Sequence, residues 1–189
     1  MSWFRRPSLP DDVRRALHLP AGDRVLASAE LRDGSWAVAT RGSLVTSDPT
    51  GRAVVARPWS DVDRASYAPE ASTITVTWVD GTPPLALHLV DPRRSGLVPT
   101  LRERVQSSVV LAETVTFAAG RTARVAVRRD RDGALFSQVV AEPGVDLHDP
   151  EVAARVDAAE GRVRSRPDYP SEPARVLPGR HGDAVADPA

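Results

Sequence analysis

WAVATRGSLVTS, residues 36–47, is the stretch on which the fold turns. Two short apolar runs meet at Arg41-Gly42, and an Asp33-Gly34 pair stands just before them. Asp-Gly between alternating apolar runs is a strong local hairpin signal, because a type I′ turn needs positive φ at both central residues. Residues 24–31 supply the strand before the turn, and Trp36 to Thr40 the return. Gly42 adds freedom for a bend or bulge, so residues 36–47 are either one bent strand or two short ones.

The same pair recurs at Asp80-Gly81, between residues 73–79 and 85–90, and at Asp132-Gly133, between residues 123–129 and 135–141. Three such turns predict a mainly antiparallel protein. The clearest strand is 73–79: Ile74, Val76 and Trp78 share one face and Thr73, Thr75 and Thr77 the other, the period of a half-buried strand. Its partner turns Leu85, Leu87 and Leu89 inward and His88 to solvent. DPTG at 48–51 is a turn by composition, 53–57 a Val-rich strand broken at Pro58, and residues 62–67 resume pairing.

Residues 11–19 form a short helix, with acidic residues in the first turn and Val13, Ala16 and Leu17 on one side, stopped by Pro20 and Gly22. At 97–112 the period changes. Leu97, Leu101, Val105 and Val109 recur every four residues, with Arg102, Glu103 and Gln106 outward, so an amphipathic helix is predicted, its Val109-Val110 end already strand-like. Residues 114–117 join the third hairpin in a three-stranded extension. Asp149-Pro150 opens another helix, whose Val152, Val156, Ala159 and Val163 stripe should dock on that extension. From 165 to 189 Pro, Ser, Gly and charge dominate, and the sequence predicts a disordered tail.

Several segments carry a resemblance: GDRVLA at 22–27, WAVATRGSLV at 36–45, RPWSDV at 57–62 and a helix at 97–112. Short antiparallel strands, bent by a glycine and followed at once by an amphipathic helix, resemble a pleckstrin-homology-like (PH-like) barrel of the bacterial kind over residues 20 to 112. The resemblance implies a noncatalytic binding scaffold. The Asp33-Gly34 hairpin holds Arg32 alone, so phosphoinositide binding is not implied with it. The expected layout is thus α+β: an N-terminal segment with a short helix (1–19), an antiparallel PH-like β-barrel capped by its helix (20–112), a hairpin-plus-helix extension (113–164) and the tail (165–189).

Composition narrows the function classes. Positive and negative residues balance at 25 each, so no global field draws in nucleic acid or anionic lipid. All the positive residues are Arg, with no Lys and no Asn. Cysteine is absent, which removes disulfides, thiolate nucleophiles and zinc-thiolate sites. No window approaches the ~20 apolar residues of a membrane span, and Trp3-Phe4 before Arg5-Arg6 falls short of an interfacial anchor. A cytoplasmic protein without membrane insertion is expected.

No phosphate loop, nucleophile elbow or HExxH motif occurs, so no enzyme and no cofactor are expected. Of the four histidines, His18 ends a helix, His88 faces out of a strand and His181 lies in the tail. His148 has company: Asp146, His148, Asp149 and Glu151 place three carboxylates and an imidazole within six residues. Such a set suits Mg or Mn and would serve a metal-dependent hydrolase, but Asp149 as a helix cap and Glu151 on the helix dipole is the plainer reading. DRDG at 130–133 hints at a calcium loop, yet its twelfth position is Ala141. Arginines make the last constellation: Arg93, Arg94, Arg102 and Arg104, then Arg121, Arg124, Arg128, Arg129 and Arg131. Packed together they would attract an acidic partner or nucleic acid, though Asp130, Asp132 and Glu103 also read as neutralising a solvated face. The expected function is a noncatalytic module that meets a protein partner or a second copy of itself. The alternative is a binder of nucleic acid or another anionic ligand through the arginines.

Overall fold

In the computed structural model, which describes residues 9–130 and 132–166, residues 36–47 form two strands, β2 (Trp36–Thr40) and β3 (Ser43–Ser47). They pair with each other, Ala37 opposite Thr46 and Val38 opposite Val45, so Arg41-Gly42 is a hairpin turn. Gly42 does not adopt positive φ. Side chains set the reversal instead: Asp23 accepts from Thr40 Oγ1 at 2.7 Å and from Gly42 N at 3.2 Å, and Ser43 N donates to Thr40 Oγ1 at 2.9 Å.

With β1 (Val25–Glu30) beside β2 and β4 (Ala53–Pro58) beside β3, the first sheet is a four-stranded antiparallel meander. Both of its faces are covered along β2 and β3. Trp36, Val38 and Val45 pack with Leu9, Val13 and Leu17 of the segment holding α1 (Asp11–Ala16), while Ala37, Ala39 and Leu44 enter the main core. Cover on two sides is why residues 36–40 read as a nearly unbroken apolar run.

A 3-10 turn at Trp59–Asp61 leads to a second antiparallel sheet of β5 (Val62–Ala68), β6 (Thr73–Trp78) and β7 (Leu85–His88), in that order. Ile74, Val76, Trp78, Leu87 and Leu89 are buried and His88 is exposed. Among the described residues the backbones of the two sheets are joined by one isolated bridge, Leu31 to Leu89, supported by Val90 N donating to Glu30 O at 3.0 Å. The expected closed barrel is therefore not found among the described residues: there are two sheets joined at that bridge. Pro58 has no amide to continue the ladder, and the 3-10 turn takes the chain out of the first sheet before β5 begins.

The turn chemistry also differs from expectation. Asp33 and Asp80 keep ordinary φ, and only Gly34 (φ 83°) and Gly81 (φ 74°) are left-handed. Leu31 N bonds Ser35 O at 2.8 Å and Gly34 N bonds Leu31 O at 2.9 Å, the pattern of a three-residue loop with a single left-handed glycine. The third hairpin repeats it, with Asp130 N to Ala134 O at 2.9 Å and Gly133 N to Asp130 O at 3.2 Å.

After β7 comes a short α2 (Pro92–Ser95), capped by Asp91 and closed by left-handed Gly96, and then α3 (Leu97–Ser108), which buries Leu97 and Leu101. The expected helix to Ala112 stops at Ser108, because the β-branched pair Val109-Val110 enters β8 (Val109–Thr116). The chain divides into two units between Ser107 and Ser108. In the second, β8, β9 (Thr122–Arg129) and β10 (Leu135–Ala141) form an antiparallel sheet. On it, α4 (Pro150–Arg164) packs Val156 and Ala159 against Val115, Ala123 and Val125, and Val163 against Leu111, Val127 and Leu135. The expected tail beyond Arg166, Trp3-Phe4 and Arg131 lie outside the described residues.

Candidate functional site

β5 ends its sheet: β6 pairs with one side, and among the described residues no strand pairs with the other. Alternation along it sends Ala65 and Tyr67 against the core while Arg64 and Ser66 stay exposed. Between this strand and α3 lies a groove of about 530 Å³. Residues 63 to 67 form one wall with Ile74, and Val98, Leu101, Arg102, Val105 and Gln106 form the other. Ile74 and Leu101 are buried, giving an apolar floor, whereas Arg64, Ser66, Arg102 and Gln106 make an exposed polar rim.

Charge on this rim is unbalanced. Among the described residues of the lining, Asp63 is the one carboxylate against two guanidiniums. Among the described residues, neither Arg64 nor Arg102 pairs with a carboxylate. Elsewhere such pairs form readily: Arg57 with Asp61 and Asp80, Arg104 with Glu103, Arg162 with Glu113.

The other arginines singled out by the sequence have separate fates. Arg93 and Arg94 are exposed on α2, Arg94 lying 3.5 Å from Asp91. Arg121 donates to the carbonyl of Gly144, tying the β8–β9 turn to the loop after β10, and Arg129 donates to that of Gly133 at 3.0 Å within its own hairpin. Arg124 and Arg128 share a face of β9, but Arg128 is fully buried, with Nη1 donating to Ser108 Oγ at 3.2 Å. Arg128 therefore presents no charge to solvent. Of the nine arginines, the eight that are described divide between the two units, and of them Arg102 alone lines the groove.

The acidic loop is organised as a helix start. Asp149 Oδ1 accepts from Glu151 N at 2.8 Å and Val152 N at 3.2 Å, and Asp146 Oδ1 accepts from His148 N at 2.9 Å. Among the described residues, no three His, Asp or Glu side chains gather to hold a metal ion. Asp130 Oδ1 accepts from Asp132 N and Ala134 N, which makes DRDG a hairpin turn.

Arg64 was not legible as a site residue. Its signal was the placement of a cation in a strand whose partner on one side is missing, and strand order is not written in local periodicity. Among the described residues no helix is long and apolar enough to cross a membrane. Comparison with family models, curated proteins and solved structures finds no match to the chain.

Proposed function

We propose that the chain is a noncatalytic binding module and that its first unit takes an extended segment of a protein partner along β5, in the groove beside α3. The single observation that carries this reading is an edge strand opening onto an apolar-floored groove of about 530 Å³, within the size range of ligand sites. An edge strand offers main-chain donors and acceptors to an added strand, and the neighbouring wall supplies side-chain selectivity. Among the described residues the lining holds the hydroxyls of Ser66 and Tyr67 but no imidazole beside them, and the reading requires no cofactor. A PH-like scaffold is supported by the succession of a four-stranded and a three-stranded sheet, the Leu31–Leu89 bridge and the helix that follows. The alternative of a nucleic-acid surface built on arginines is weakened by the burial of Arg128.

Hydrogen exchange on the whole chain, alone and with peptides selected from a random display library, tests the proposal. Slowed exchange of the amides of residues 64–68 on peptide binding supports it. Peptides that bind while leaving β5 unchanged overturn it. Sedimentation at rising concentration checks the second occupant: a dimer whose formation slows the same amides assigns the groove to a second copy of the chain.

A further inference from the structure

We infer that the groove selects an acidic partner: an extended segment carrying an Asp or Glu side chain that seats between Arg64 and Arg102. This rests on the strand-addition reading above and adds the chemistry of the occupant.

Arg64 comes from β5 and Arg102 from α3, so the two guanidiniums stand on opposite walls of one groove. Both are exposed and neither has a carboxylate partner among the described residues. The chain as a whole carries 25 positive and 25 negative residues, so this excess is local. A guanidinium binds carboxylate through paired, charge-assisted hydrogen bonds that fix its orientation. An apolar floor beneath lowers the local dielectric and strengthens that contact relative to open solvent.

Random nine-residue peptides displayed on phage, selected in parallel on four forms of the full chain, test this. The forms are the natural chain, the groove-blocked variants Gln106→Trp and Ser66→Trp, which fill opposite walls from exposed positions, and the double variant Arg64→Gln/Arg102→Gln. The expected pool on the natural chain is enriched in Asp and Glu. Its members lose affinity for both blocked variants and fall about tenfold or more in affinity for the double variant. Peptides that need the open groove yet show no acidic enrichment, or that bind the double variant as tightly as the natural chain, overturn the acidic selection and leave strand addition standing. Selection indifferent to both blocking variants removes the groove and both readings with it. A DNA duplex bound tightly by the natural chain and lost by the double variant, with no acidic peptide selected, reassigns the two arginines and also overturns the proposal.

Discussion

Arg57 on β4 and Asp80 in the β6–β7 turn tie the two sheets of the first unit together, Nη2 standing 2.5 Å from Oδ2. The guanidinium also reaches Asp61 at 3.3 Å and lies 4.4 Å from the centroid of the Trp78 ring. Partial burial alone would raise the Asp80 carboxyl. Hydrogen bonds from Arg57 and Thr82 more than offset it and hold the carboxyl at about 2, below an ordinary 3.8.

A depressed carboxyl stabilises the fold above its unfolded value and loses that contribution as pH falls through the folded one. For Asp80 the window runs from 3.8 down to about 2. Solvent reaches the pair, so screening leaves a contribution of about 1 kcal/mol. Asp80→Asn should cost about that much near neutral pH and flatten the acid limb of urea-unfolding stability across the window. An unchanged acid limb in the variant would remove Asp80 from the account.

Gly51 lies in the β3–β4 turn at φ 88°, and a Cβ there would stand 3.3 Å from the Val13 backbone and 3.2 Å from Ala16 Cβ. Gly81 is also left-handed, at φ 74°, but nothing lies within 4 Å of its would-be Cβ. Gly81→Ala should cost about 1 kcal/mol for conformation alone, and Gly51→Ala about 2 kcal/mol, because the turn must also push away from α1. Chemical unfolding of the two variants measures the difference; equal costs would mean that α1 yields without penalty.

Leu17 is buried beyond the last turn of α1 and packs in the cluster that covers Trp36. Leu17→Ala should cost about 2–3 kcal/mol. It should also shift tryptophan emission to longer wavelength before global unfolding, since Trp36 gains water when the segment loosens. Unaltered emission at full loss of stability would show that Trp36 is shielded by other groups.

How far these features were legible depends on how many faces an element buries. Thr73 to Trp78 alternate cleanly because only one face meets the core, and Ile74, Val76 and Trp78 could be assigned inward from sequence alone. Residues 36–47 were recognisable as strand, but α1 covers their outer face and erases the alternation that would have separated a bend from a hairpin. The deciding contacts, Asp23 to Thr40 and Gly42, span 17 and 19 residues and leave no local pattern. Arg102 was readable as an outward residue on an amphipathic helix. Arg64 gained meaning only once β5 proved to be the end of its sheet, and the burial of Arg128 contradicts the ordinary exposure of arginine on which the surface-patch expectation relied.

Asp149 distinguishes a capped helix from a metal loop. Its carboxylate oxygen already accepts two backbone amides at the start of α4, where Pro150 occupies the first helical position, so removing it leaves those donors to water. Asp149→Ala should destabilise the second unit by about 1 kcal/mol, and Asp149→Ser should recover most of it. Because the stabilising partners are main-chain groups, the melting temperatures of the natural chain and both variants should be the same with EDTA, with millimolar Mg²⁺ and with millimolar Mn²⁺. His148 is exposed, and His148→Ala should melt with the natural chain in all three. A metal-dependent rise in the natural chain that His148→Ala abolishes would instead make the acidic loop a cation site and reduce the cap to one use of a shared carboxylate.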